Sequence, residues 1–177
     1  MIVEFRVNNF LSFRDEVVLS FEADKDQTLE NYYVVETAGL RLLKLGMIYG
    51  PNASGKTNII QALNFFTDTL FATRKSKDES TGFVPFMLGD SDKKPGSFTL
   101  VFVADGIKYM YSITLDEYAI YEEKLDAYYS HQPSHLFKRY FDKEQNVSVI
   151  QYGPKLKPSK AAEEAIALNA LKNVTFF

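Results

Sequence analysis

Residues 42–49, Leu-Leu-Lys-Leu-Gly-Met-Ile-Tyr, run directly into residues 50–57, Gly-Pro-Asn-Ala-Ser-Gly-Lys-Thr. Ile59, Ile60, Leu63, Phe66 and Leu70 then recur at helical spacing through Thr73. The order reads as an apolar strand, a glycine-bounded loop and an amphipathic helix. The loop matches G-x-x-x-x-G-K-[ST] in full, and that pattern needs a strand before it and a helix after it. Each residue type has a physical reason to be there. Gly50 and Gly55 permit backbone conformations that a Cβ would penalise, so successive N–H groups can point inward at phosphate oxygens. The helix that starts near Gly55 adds the partial positive charge of its N-terminus. Lys56 supplies a point charge for β- and γ-phosphates, and the Thr57 hydroxyl can ligate Mg²⁺. The plain alternative is a tight strand-to-helix turn carrying a solvated lysine.

Outward from this loop, both flanks read as antiparallel sheet. In the opening stretch, Ile2, Glu4, Arg6 and Asn8 share one parity and Val3, Phe5, Val7 and Asn9 the other, the pattern of a half-buried strand. A second strand follows over 16–21, then a polar loop over 24–31. Beyond the helix, 74–97 is a charged connection containing Lys75, Lys77, Asp78 and Glu79 and closed by Pro95 and Gly96. Strands are expected over 98–103 and 107–115, and the Asp105-Gly106 pair between them is a strong hairpin signal. The alternation continues over 119–129, 136–141 and 147–152 as a meander, and 159–171 reads as a helix with Ser159 at its N-cap and glutamates in its first turns. The organisation is one α/β (α+β) domain: 1–73 with the strands, loop and helix, 98–152 with the meander, 159–171 with the final helix.

Composition sets the outer limits. The chain has 177 residues, a formal net charge of −3, 46% hydrophobic residues and no cysteine. That is enough for one core, and too apolar and aromatic for a disordered chain. Without cysteine there is no disulfide framework, thiolate zinc site or cysteine nucleophile. No signal peptide or apolar span is legible, so a cytoplasmic protein without a membrane partner is expected.

Among nucleotide-binding classes, a GTPase should carry D-x-x-G and N-K-x-D, and neither occurs. A small-molecule kinase would need basic lid residues, yet the only arginine after Arg74 is Arg139. The run Phe5-Arg6-Val7-Asn8-Asn9-Phe10-Leu11-Ser12-Phe13 resembles the opening strand of RecF and SMC-like ATPases, with its N-F-x-S-[FY] signature. The loop through Asn58 resembles their G-x-N-[AG]-[SA]-G-K-[ST]-[NS] variant. The stretch 98–125, with Asp105-Gly106, Tyr109, Tyr111, Glu123 and Leu125, is similar to bacterial AAA/ABC-class ATPases of the abortive-infection and overcoming-lysogenisation type. The resemblance implies a P-loop NTPase of ABC type, represented by its N-terminal lobe. It implies ATP and Mg²⁺ as ligands, held by Gly50, Pro51, Asn52, Ala53, Ser54, Gly55, Lys56, Thr57 and Asn58, with Thr57 on the metal. Ser12, Phe13 and Arg14 would approach the nucleotide from the N-terminal strands. It further implies DNA- or phage-defence-related work, with a C-terminal lobe or second ATPase subunit as partner, and DNA or an effector nuclease or toxin beyond that.

The rest of an ABC-type site is not legible. Asp116-Glu117 ends an apolar stretch as a Walker B pair would, but it falls inside a hairpin with no signature sequence ahead of it, and reads better as a turn. No catalytic residue is assigned. Hydrolysis by these residues alone is expected to be very slow or absent, and the apolar ending 173–177 reads as the edge of a lobe. A non-hydrolytic nucleotide-dependent interaction module therefore stands as one alternative. A nucleic-acid-binding module is the other, because 138–160 holds Lys138, Arg139, Lys143, Lys155, Lys157 and Lys160 against only Asp142 and Glu144. The tyrosines and phenylalanines of 98–141 read as sheet core rather than as base-stacking platforms. His131 and His135 stand four apart, but Pro133 breaks any helix between them, so a polar loop is the plainer reading than a metal site.

Overall fold

The elements in chain order are β1 (Ile2–Asn8), β2 (Val17–Ser20), α1 (Glu30–Tyr33), β3 (Val34–Thr37), β4 (Leu40–Leu43), α2 (Lys56–Leu70), β5 (Gly96–Ala104), β6 (Ile107–Leu115), β7 (Ile120–Tyr128), β8 (Ser134–Asp142), β9 (Val147–Tyr152) and α3 (Lys160–Asn169). The structure is a computed structural model that describes residues 1–74, 76 and 78–176, with the backbone alone for residues 164, 165 and 167–169. Lys75, Lys77 and Phe177 lie outside the described residues, as does the Glu164 side chain.

Seven strands form one sheet in the order β2-β1-β5-β6-β7-β8-β9, with every neighbouring pair antiparallel. From β5 onward this is the expected meander, each strand turning back on its predecessor. The β5–β6 turn places Asp105 at φ 50° and Gly106 at φ 73°, the pair of left-handed conformations that a two-residue type I′ hairpin requires. Asp116 likewise proves to be a turn residue: its Oδ1 accepts from the N–H of Tyr118 (2.7 Å) and Ala119 (3.0 Å), and the Tyr121 hydroxyl donates to Oδ2.

One sheet face carries the core. Phe5, Val7, Phe98, Tyr111, Ile113, Leu125 and Phe137 are buried there. Against them α2 lays Ile59, Ala62 and Phe66, while Ile60 points to solvent. The Phe66 ring sits 5.7 Å from Phe5, 5.9 Å from Tyr111 and 6.2 Å from Phe98, at the separations where aromatic pairs attract beyond their simple area burial. The helix is thus held by its apolar stripe, as its spacing predicts. At α3, the Ser159 Oγ accepts from the Ala162 N–H, the expected N-cap.

The strand expected over 42–49 is the main correction. Only its first two residues are extended in a ladder, and that ladder is a separate two-stranded sheet of β3 and β4. Leu42 pairs with Val35 and is buried against Val3 and Val103, which anchors this small sheet. The Lys44 N–H is taken by the Tyr33 carbonyl, and the chain then leaves the sheet. Leu45 (62% exposed), Met47 (83%) and Tyr49 (93%) follow without a strand partner among the described residues. Apolarity alone does not supply a neighbouring strand. No helix among the described residues is long and apolar enough to cross a membrane.

Candidate functional site

The loop 50–57 lies where α2 begins. Gly55 takes φ +89°, and a Cβ there would stand 3.1 Å from the Phe13 ring, so both backbone conformation and close approach require glycine. At Gly50 (φ +156°), a Cβ would meet Ser54 Oγ at 3.1 Å. Ala53 also has positive φ, 62°. These turns wind the chain back on itself before the helix starts.

No side chain caps the N-terminus of α2, and no acidic residue sits in its first turn. The first N–H groups of a helix lack intrahelical acceptors, and the helix dipole concentrates positive potential at that end. The terminus opens into a cavity of about 500 Å³ lined by Asn52 to Asn58 and by Ser12, a size ordinary for a small-molecule site. The Lys56 ammonium donates to the carbonyls of Gly50 (2.8 Å) and Pro51 (2.6 Å), folding the side chain back over the loop. Thr57 is exposed in the first helical turn. Asn58 Nδ2 donates to Ser12 Oγ at 2.6 Å, tying α2 to the segment after β1.

The arrangement fits a polyphosphate. It offers amide donors, the Lys56 ammonium and a hydroxyl suited to a divalent cation, with no carboxylate among the described residues along the cavity wall. Seven of the nine sequence-assigned residues, Asn52 to Asn58, line this cavity, and Gly50 and Pro51 adjoin it through the Lys56 bonds. Of the N-terminal trio, Ser12 lines it and the Phe13 ring packs at Gly55; Arg14 is exposed, and its carbonyl accepts from the Asn8 side-chain amide at 3.3 Å.

Asp116 and Glu117 are elsewhere. The Asp116 carbonyl accepts from the Thr81 hydroxyl, and the Glu117 carbonyl from the Thr81 N–H, in the connection that follows α2. The basic stretch is also partly consumed. Lys138 pairs with Glu122 at 3.0 Å, Lys143 stands over the Tyr121 ring at 4.2 Å and Lys155 over Tyr129 at 3.4 Å. Arg139 is not on the surface at all, being 1% exposed. His135 lies in β8 rather than in a loop, with Nδ1 2.9 Å from buried Asp126, and His131 stands apart in the preceding turn.

Sequence reasoning missed what Arg139 does. It meets Glu123 Oε2 at 3.1 Å and Ser148 Oγ at 3.1 Å, and donates to the carbonyls of Leu171 (2.7 Å) and Val174. Glu123, fully buried, also accepts from the Tyr111 hydroxyl at 2.7 Å and from the Phe176 N–H at 2.8 and 2.9 Å. Burial lowers the Arg139 pKa against the pull of Glu123, and burial beside Glu123 pushes the Tyr111 hydroxyl far above the usual tyrosine value. A parity signal was present: Tyr111, Glu123 and Arg139 occupy positions of the face that points to the core on three successive strands.

One family profile matches residues 47–172, which is most of the chain, and its description is "AAA domain, putative AbiEii toxin, Type IV TA system". The chain belongs to this family, an AAA/ABC-like group of P-loop ATPases linked to abortive infection. No curated protein matches it. Membership supports a nucleotide-binding, ATPase-like domain, and agrees with the mixed architecture of antiparallel sheet and few helices.

Proposed function

We propose that this chain is the ATP-binding lobe of an SMC/RecF-like, ABC-class ATPase that works in phage defence. The observation that carries the reading is the glycine-turned loop 50–57 at the uncapped N-terminus of α2. In this reading the amides of Ser54 to Thr57 hold the phosphates, and Lys56 swings from the Gly50 and Pro51 carbonyls to the β- and γ-phosphates. Thr57 would hold Mg²⁺, which when bound would offset phosphate charge. Asn58 and Ser12 fix the loop to the N-terminal strands, and Asn52 and Ala53 shape its rim. A C-terminal lobe or second ATPase subunit would complete the site, with a nuclease or toxin effector as the output.

One observation favours a second reading within this frame, a nucleotide-dependent interaction module without hydrolysis. None of the described residues lining the cavity is acidic, so none of them offers a carboxylate to activate water. The nucleic-acid alternative draws no such support, since Lys138 and Arg139 are already engaged within the fold.

Calorimetry with ATP and Mg²⁺ on wild type and Lys56→Ala, with turnover measured in the same samples, tests the proposal. Binding is expected in wild type, weakened by about 100-fold or more in the variant, as befits loss of a charge-assisted contact of about 3 kcal/mol. Equal affinities would refute the assignment of Lys56. Turnover abolished by Lys56→Ala would refute the non-hydrolytic reading.

A further inference from the structure

The segment 171–176 crosses the underside of the sheet and touches three parts of the molecule at once. Arg139 and Glu123 hold it by its backbone, through the carbonyls of Leu171 and Val174 and the N–H of Phe176. Its Phe176 ring packs at 4.8 Å from Phe137 and 6.0 Å from Tyr152. On the other side, fully buried Asn173 donates to the carbonyls of Ser76 (2.9 Å) and Glu79 (2.8 Å), and Arg74 returns a bond to the Asn173 carbonyl. The Thr175 hydroxyl reaches the carbonyls of Leu70 (3.2 Å) and Thr69 (3.4 Å) in the last turn of α2.

The C-terminal end of α2 is thereby fastened to β7 and β8 through this strap. The other end of the same helix carries Lys56 and Thr57. The helix is fifteen residues long, roughly 22 Å. A helix of that length moves as a unit, so an axial shift at Leu70 is felt at Lys56. We infer that the strap sets the position of α2, and that Asn173, Thr175, Glu123 and Arg139 are positioning residues for the loop 50–57. By linkage, whatever strengthens the strap strengthens binding at the loop, and a ligand at the loop tightens the strap by the same factor. The inference rests on the nucleotide reading only for the identity of that ligand.

The test is amide hydrogen exchange on the full chain, with and without Mg²⁺ and a slowly hydrolysed ATP analogue, in wild type, Asn173→Ala, Thr175→Val and Thr175→Ser. Saturating nucleotide is expected to slow exchange in 171–176 of wild type as well as in 52–58. Thr175→Val, which keeps shape and loses the hydroxyl, should weaken nucleotide binding by about fivefold or more, with Thr175→Ser close to wild type. Protection confined to 52–58, with the strap unchanged, would overturn the inference. Should wild type bind no nucleotide, the proposed function fails while the inference stays open to its own test. Asn173→Ala must then speed exchange at 56–60 without any ligand, and unchanged exchange there overturns the strap's role.

Discussion

Replacing Arg139 with methionine removes the centre of the buried network while keeping most of the side-chain volume. Glu123, 0% exposed, would lose its ion pair with Arg139, and the carbonyls of Leu171 and Val174 would lose the Arg139 donor. Removing one member of a buried ion pair typically costs about 3–5 kcal/mol. The Val174 carbonyl, left without that donor, adds a penalty of about 1–3 kcal/mol, not fully additive, whereas the Leu171 carbonyl keeps the Val174 N–H at 3.3 Å. The expected loss is therefore about 4 kcal/mol or more, against a total stability of about 5–15 kcal/mol for a domain. With an m-value near 2 kcal/mol/M, the urea midpoint should fall by about 2 M. Glu123→Leu should cost as much, since it strands Arg139, the Tyr111 hydroxyl and the Phe176 N–H. The double variant should lose clearly less than the sum, with a coupling of about 2 kcal/mol, because no lone charge remains buried. Should Arg139→Met not fold, Arg139→Lys, which keeps the charge and loses the fork, enters the same cycle. A loss under about 1.5 kcal/mol, or a coupling within about 0.5 kcal/mol of zero, would show that the pair is not an energetic unit and refute the reasoning.

Three further outcomes are expected. Burial and the facing Glu123 hold the Tyr111 hydroxyl neutral in the fold. Its pKa is raised above the unfolded value of about 10, so its contribution is complete below that pH and is lost as pH climbs past it, at about 1.4 kcal/mol per pH unit. In alkaline unfolding titrations, Tyr111→Phe should be shallower by that slope; an unchanged slope sinks the claim. At Gly153 an added Cβ would lie 1.7 Å from the His135 carbonyl oxygen. Gly153→Ala should therefore destabilise by about 3 kcal/mol in denaturant melts, the upper end for overpacking, and a change under about 1 kcal/mol would contradict it. Asp116→Ala should lower stability by about 1–2 kcal/mol through its lost turn bonds and leave nucleotide affinity unaltered by calorimetry. A folded variant that has lost binding would return Asp116 to the site.

Local signals were the ones legible in the residues. The period of two along Val3, Phe5 and Val7, the Asp105-Gly106 turn and the Ser159 cap each depend on neighbours in the chain, and each was readable. The candidate site was readable for the same reason, since the loop and helix start are contiguous from Gly50 to Asn58. What escaped depends on distant partners. Leu42 to Tyr49 reads as one strand because nothing local tells that Leu42 will pair with Val35 and Tyr49 with no strand among the described residues. Arg139 looked like surface charge because its partners, Glu123 and the carbonyls of Leu171 and Val174, are separated from it by up to 35 residues. Buried charge is recognised only when both members can be seen facing the same way.

The backbone grip on the strap also has a consequence for how the chain is made. Ribosomes deliver residues in order, and 35 residues separate Arg139 from Val174. At about 5–20 residues per second, Arg139 waits roughly 2–7 seconds for the strap that satisfies it. During that interval Glu123 and Arg139 have each other but not residues 171–176, and the backbone-binding side of the pair is open. The arrival of Phe176, whose N–H meets Glu123 and whose ring packs on Phe137 and Tyr152, is the event that closes it.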